Sequence, residues 1–222
     1  MQALNFQQVW RYKEQLLNGV QTTVELTVVA VAAGLAIGLA GAMLSRHGSR
    51  GARLAVRSYV EVFRNTPSLI QLFVVFFILP GIGLKFPPFI AAAVALSLYF
   101  GGYAVEILRA GLESVPRSQI EAGHCLGLSS WQVYRHIVLA PALRAVYPAL
   151  GTQLVMLLLG TSLASQVSAE DLFHAGSFIE SRTYRSFEVY AVICGIYFLL
   201  VLATKLLLAL GGRLAFTWPV RR

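Results

Sequence analysis

The sequence predicts an all-α integral membrane protein with about five spanning helices. Three observations carry that expectation. Of the 222 residues 57% are hydrophobic, only 13% are charged, and the mean hydropathy is +0.67. Apolar runs of spanning length recur along the chain, and short segments between them hold most of the charge. Such a chain is too apolar to fold as an ordinary water-soluble domain. The net charge of +8 does not point to nucleic acid, because the basic residues lie between hydrophobic runs rather than on one face of a soluble frame.

Taken in order, Met1 to Asn5 show no basic n-region followed by a small-residue cleavage site, so the first apolar run is expected to stay in the mature protein. That run is uncharged from Leu26 to Leu44 and places a first span at about 22–45. The second, at about 59–79, ends on the turn residues Pro80-Gly81-Ile82-Gly83, and the third, at about 88–108, starts after Pro87-Pro88, so the two form a hairpin. A polar segment at about 113–144 follows, then spans at about 145–166 and 189–210, with no convincing sixth. The whole of 1–222 reads as one transmembrane domain. Pro67 and Pro148 are expected to kink the second and fourth spans. Gly34, Gly38 and Ala42 recur every four residues in the first span and predict a close helix contact.

Orientation follows from the short loops, since Lys and Arg are retained on the cytoplasmic side. Arg46, Arg50, Arg53 and Arg57 crowd the first loop, the second offers only Lys85, and the fourth, with Glu170, Asp171, Glu180, Arg182, Arg185 and Glu188, is net acidic. The third loop carries Arg117, Arg135 and Arg144, and the C-terminus Arg213, Arg221 and Arg222. A periplasmic N-terminus and a cytoplasmic C-terminus satisfy these loops; Arg11 and Lys13 are the mild exception. Cys125 and Cys194 stand in no metal-ligand spacing and are expected to be free thiols, one in a loop and one in a span.

The third loop reads as two short helices. One runs from Arg117 to Cys125 and stops at Gly127, the residue best able to take a left-handed, helix-ending conformation. The other begins at Ser129 with Gln132 three positions on, a capping box, and its apolar residues Trp131, Val133, Tyr134, Ile137 and Val138 are expected against a hydrophobic neighbour. A capped pair at the mouth of a bundle suits a docking surface.

Here the chain resembles the permease subunits of binding-protein-dependent ABC importers, in the polar amino acid branch of the histidine, glutamate, glutamine and arginine type. Their loop signature is E-A-A, three residues, glycine, nine residues, isoleucine, one residue, leucine-proline. This chain has Glu121-Ala122-Gly123, then Gly127, Ile137 and Leu139 at those spacings, with Gly123 for the second alanine and the proline displaced by one to Pro141. Further likeness lies in Leu17 to Thr23, Tyr59 to Pro67, Tyr103 to Gly111 and Thr161-Ser162-Leu163, and covers about Asn18 to Gly211. The resemblance implies a five-span type I importer permease. Its partners would be two ATPase subunits that hold ATP and Mg, a second permease (the same chain or a paralogue), a periplasmic amino acid-binding protein, the amino acid itself and membrane lipid.

It also implies that Glu121, Ala122, Gly123, Gly127, Ser129, Ile137 and Leu139 form the coupling element against the ATPase. Within the spans, Gln71, Tyr99, Tyr103, Gln153, Thr161, Ser162, Ser165 and Gln166 are the polar groups available to line a substrate path, of which only a fraction is expected to do so. Glu61 with Arg64 and Glu106 with Arg109 are three apart on helical faces and are expected as structural or gating ion pairs. Lys205 is expected to snorkel to the inner interface. Many relatives carry lysine and aspartate before the threonine-serine-leucine; Leu159 and Gly160 stand there in this chain, which leans against a cationic substrate.

No catalytic constellation emerges. His47, His124, His136 and His174 form no metal-ligand spacing, and no G-x-x-x-x-G-K-[ST] phosphate loop occurs, so an importer of this kind takes its energy from another chain. An ion-coupled secondary transporter is the alternative, but it calls for intramembrane acidic groups and internal repeats that the sequence does not clearly show. A membrane scaffold or an intramembrane enzyme has no positive support.

Overall fold

A computed structural model describes residues 4–216. Its elements in order are α1 (Gln7–Trp10), α2 (Lys13–His47), α3 (Arg50–Asn65), α4 (Ser68–Phe73), a π turn (Val74–Ile78) and a 3-10 turn (Leu79–Ile82), α5 (Pro88–Glu113), α6 (Arg117–Cys125), α7 (Ser130–Val133), a π turn (Tyr134–Val138), α8 (Leu139–Gly160), a 3-10 turn (Thr161–Val167), α9 (Leu172–Thr183) and α10 (Ser186–Ala215). Among the described residues four helical stretches are long and apolar enough to cross a membrane, Lys13–His47, Pro88–Glu113, Ser130–Val167 and Ser186–Ala215, and the bent pair Arg50–Asn65 with Ser68–Ile82 makes a fifth when counted as one broken span. The fold is therefore all-α with up to five spans. Helix α5 begins with Pro88 at its first position, where the missing N–H costs nothing. Gly83, at φ +92°, closes the preceding turn in a conformation that glycine alone takes readily. Helix α8 runs unbroken past Pro148.

The core is a seam between α2 and α5. A Cβ added at Gly38 would lie 2.5 Å from the Cβ of Ala104, and one at Gly34 would lie 2.8 Å from Phe100 Cδ1 and 2.9 Å from the Ser97 carbonyl. Backbone therefore meets backbone there, the geometry small residues permit in lipid. Ala30, Leu96, Phe100, Ala104 and Leu157 are buried around it. The burial is uneven. In its most apolar window α5 is 61% buried, whereas α10 is only 6% buried and presents Phe198, Leu199, Leu206 and Leu207 outward.

The second span departs from the simple kink expected at Pro67. The chain breaks at Thr66-Pro67 and turns by 111°, and α3 buries none of its 16 residues. Pro67 withholds a backbone donor and drives Thr66 into extended conformation (φ −117°, ψ 144°), so the helix must stop there. Gln71 then stitches the gap: its Nε2 donates to the carbonyls of Phe63 (3.0 Å) and Thr66 (3.1 Å) and to Thr66 Oγ1 (2.9 Å). Those are carbonyls the broken helix leaves without partners.

Candidate functional site

The helix pair after α5 is built from local signals. Gly127 sits at φ +79°, its N–H donates to the His124 carbonyl (3.0 Å) and Leu128 N–H donates to the Gly123 carbonyl (3.2 Å), which ends α6 as a Schellman motif. Two residues on, Ser129 Oγ accepts from Gln132 N–H (3.4 Å) while Gln132 Oε1 accepts from Ser129 N–H (2.9 Å), a complete capping box at α7. The inner face of the pair is closed by Val115, Val138 and Ala142, with Leu112, Ile120 and Tyr134 against them. Gly123 is buried, and a Cβ there would meet Ile137 Cδ1 at 2.5 Å and Val133 Cγ2 at 3.1 Å. The space an alanine would need is filled by Ile137, a physical reason for glycine at this position.

The outer face is bare. Glu121, Ala122 and Cys125 are exposed, Leu126 is 80% exposed and Trp131 66%. Trp131 is thus left largely open rather than packed underneath as expected: it stacks on Tyr134, at 6.3 Å between centroids, and borders a cleft lined by Met43, Leu112 and Val138. Cys194, in α10, is free and exposed like Cys125.

A cleft of about 420 Å³ gathers both expected charge pairs, with Glu61 and Arg64 from α3 and Glu106 and Arg109 from α5 among its lining. Only one pair forms as expected. Arg109 binds Glu106 through Nε and Nη2, and its Nη1 reaches both oxygens of Glu113 at 2.7 Å. Glu61 instead accepts from Arg57 Nε at 2.9 Å, because Arg64 is drawn over the Tyr103 ring, 5.4 Å from its centroid. A cation over an aromatic face is attracted by the ring quadrupole, and the i, i+4 arginine is free to take the carboxylate.

Of the other polar span residues, Tyr103 pairs with Tyr99 at 5.1 Å between ring centroids. Thr161, Ser162 and Ser165 each donate to a carbonyl three residues back, at 2.7, 2.8 and 2.8 Å, and Gln166 Nε2 reaches Ser165 Oγ at 3.3 Å. The hydroxyls of Thr161 and Ser162 thus satisfy the last carbonyls of α8, and that of Ser165 closes on its own 3-10 turn. Gln71 Oε1 and Gln153 Nε2 are, among the described residues, the buried side-chain polar atoms left without a hydrogen bond. Lys205 lies exposed along α10 beside Tyr147 and Pro148.

Sequence reasoning passed over a second polar centre. Asp171 is fully buried; its carboxylate accepts from His174 N–H (3.0 Å), Phe173 N–H (3.2 Å) and the Tyr197 hydroxyl (3.2 Å). Beside it Thr23 Oγ1 accepts from Leu172 N–H at 3.1 Å, which ties α2 to the start of α9. Burial pushes the Asp171 carboxyl above its ordinary value, against the downward pull of those hydrogen bonds. The available signal was an aspartate immediately before an apolar helical run, a helix N-cap. Nearby, Glu188 accepts from Arg185 Nη1 (2.8 Å) and Asn5 N–H (3.1 Å), fastening the N-terminal segment to α10.

Comparison with known proteins adds identity to this geometry. The profile of the family described as "Binding-protein-dependent transport system inner membrane component" matches residues 31–215. A curated relative, the putative glutamine transport system permease protein GlnP of Rickettsia conorii, is 33% identical over 188 residues, 84% of this chain and 86% of its own. The L-cystine transport system permease protein TcyB of Bacillus subtilis is 35% identical over 167 residues, 75% of this chain and 71% of its own. Among solved structures, a chain from an amino acid ABC transporter crystallised with histidines superposes with a TM-score of 0.89 at 32% identity, covering 96% of this chain and 99% of that one.

Proposed function

The chain belongs to the family of inner membrane components of binding-protein-dependent transport systems, and from that premise we propose that it carries a polar amino acid across the bacterial inner membrane by alternating access, driven by ATP hydrolysed on a partner. It is a permease subunit of the ABC amino acid importers and not itself an enzyme. The observation that carries the mechanism is the α6–α7 pair, capped at both of its inner ends and bare on its outer face. A rigid short helix is a lever: closure of two soluble ATPase domains beneath it has to be transmitted by an element that does not fray. In this reading Glu121, Ala122 and Gly127 lie at the ATPase contact, and Gly123, buried under Ile137, lets the two helices of the lever close on each other. Ser129 caps the lever, and Ile137 and Leu139 pin it to the bundle. ATP and Mg belong to the ATPase, whose bound state selects one of the permease's two conformations by differential affinity.

The remaining assignments follow the same reading. Residues 1–222 form one transmembrane domain with the N-terminus periplasmic and the C-terminus cytoplasmic, on the arginines of the first and third loops; Arg221 and Arg222 lie outside the described residues. A second permease, identical or paralogous, and a periplasmic binding protein complete the importer. Gln71 is the strongest path candidate, since an open acceptor at a buried position is what a polar solute or its water would satisfy, and Gln153, beside the Tyr99 hydroxyl, joins it. Tyr99, Tyr103, Thr161, Ser162 and Ser165 shape the wall, and the Arg64 and Arg109 clusters act as gate or strut. Relatives named for glutamine and cystine accord with a neutral polar side chain, as does the uncharged Leu159-Gly160 step.

Affinity purification of the tagged full chain from its own membranes, with mass spectrometry of retained partners, tests the reading. An ATPase subunit recovered with wild type and lost with Glu121→Arg is the expected result. Stably extracted, monodisperse wild type that retains no ATPase would overturn it and direct attention to ion-coupled transport.

A further inference from the structure

We propose that the cleft between the C-terminal end of α2 and the α6–α7 pair binds the headgroup of an anionic phospholipid of the inner leaflet. The proposal rests on the orientation given above. The cleft measures about 530 Å³ and carries Arg46 and His47 from α2 and His124 from α6 on its rim. Its floor is apolar, with Met43, Leu112 and Val138, and no acidic residue lines it. An adjoining cleft of about 250 Å³ shares Arg46 and Leu112 and adds Arg117; the one carboxylate there, Glu113, is already held by Arg109. Neither Arg46 nor Arg117 has an ion pair of its own among the described residues.

That combination selects its occupant. A guanidinium presents a planar fork that fits a phosphate, and two imidazoles add further N–H donors. Basic pockets between spanning helices on the cytoplasmic side are suited to anionic headgroups. A free phosphate would leave the apolar floor unused, whereas an acyl chain covers it. A zwitterionic lipid would bring its ammonium to the same basic rim and lose the advantage. Trp131, two-thirds exposed at this cleft, has the amphipathic ring that settles at headgroup depth. A lipid held there would brace the end of α2 against the helix pair.

The test uses the full-length chain in nanodiscs, with Trp10→Phe and Trp218→Phe leaving Trp131 as the reporter. Its fluorescence is quenched by dibrominated phosphatidylglycerol or by dibrominated phosphatidylcholine at equal mole fraction in a phosphatidylcholine background. We expect about fivefold enrichment of phosphatidylglycerol beside Trp131, the effect of roughly one near-surface basic residue. Arg46→Gln with His47→Gln and His124→Gln should return the ratio to about one while quenching by brominated phosphatidylcholine, which reports correct embedding, is unchanged. Equal quenching by the two lipids in wild type, or a preference that survives in the triple variant, overturns the proposal. So does a preference lost once an ATPase partner is bound, since a protein surface would then fill the cleft. Failure to recover an ATPase leaves this ratio untouched, so the importer reading and the lipid site fail separately.

Discussion

Replacing Gly38 by alanine is the sharpest test of the α2–α5 seam. The new Cβ would lie 2.5 Å from the Cβ of Ala104, 3.2 Å from its carbonyl carbon and 3.4 Å from its Cα. Carbon atoms rest at about 3.5–4.0 Å, so the helices would have to part by about 1 Å, and no flexible side-chain end stands in between to absorb it. Overpacking of this kind costs about 1–3 kcal/mol, while alanine gains about 0.8–1.0 kcal/mol of helix propensity over glycine. The net is a loss of about 1 kcal/mol, worth about 2–4 °C in melting temperature for a chain of this length. Gly195→Ala in α10 supplies the opposite sign, because nothing lies within 4 Å of its Cβ and the propensity gain stands alone. Thermal unfolding of the purified chain in mild detergent reads both. Adding Ala104→Gly to Gly38→Ala should recover most of the loss. A Gly38→Ala protein as stable as wild type, or a double variant no better than the single, would refute backbone contact at this point.

Other expectations come from the polar clusters. Asp171 has its carboxyl raised by burial, so its neutral form is the one the fold favours: the stability it contributes is present at pH below the ordinary carboxylate range and is lost as pH rises through the raised value. Asp171→Asn should therefore gain on wild type with rising pH in melts across that window, while Asp171→Ala, which also loses the N-cap worth about 1–2 kcal/mol, should show its largest deficit below the window and a smaller one above it. Gln71→Leu leaves the carbonyls of Phe63 and Thr66 without their donor and should cost about 1–3 kcal/mol, seen as faster proteolysis near Thr66. Ser129→Ala removes one half of the capping box, about 1 kcal/mol, and should raise hydrogen exchange in 117–138 while exchange in α5 stays unchanged.

What the sequence made legible was what neighbouring residues decide among themselves. The end of α6 at Gly127 and the start of α7 at Ser129 rest on contacts no more than five residues apart, so a linear reading finds them. Pro67 announced a bend in the same way, but its size could not be read, because it depends on Gln71 bridging the gap and on α3 lying against α5 through Tyr59 and Phe63 without burying a residue. Glu61 had two arginines at helical spacing, and the choice fell to Tyr103, 39 residues on from Arg64, which took one of them away. Asp171 looked like one acid among several in a polar connector until Tyr197 and the Thr23–Leu172 contact placed it inside the molecule. The glycine that departs from the loop signature has its reason in Ile137, on the far side of the turn.

Helix α10 meets the rest of its own chain along so little of its surface that most of its side chains carry one instruction, to be apolar. Leucine, phenylalanine or valine would serve equally at Phe198, Leu199, Leu206 or Leu207, and exchanges among them are close to silent. Along α5 the reverse holds: at Gly101, Gly102 and Gly111 an added methyl already strikes Tyr59, Phe63 or Val146. Inherited change in this lineage should then accumulate on α10 at constant hydropathy, like the ticking of a clock, while α5 keeps its letters.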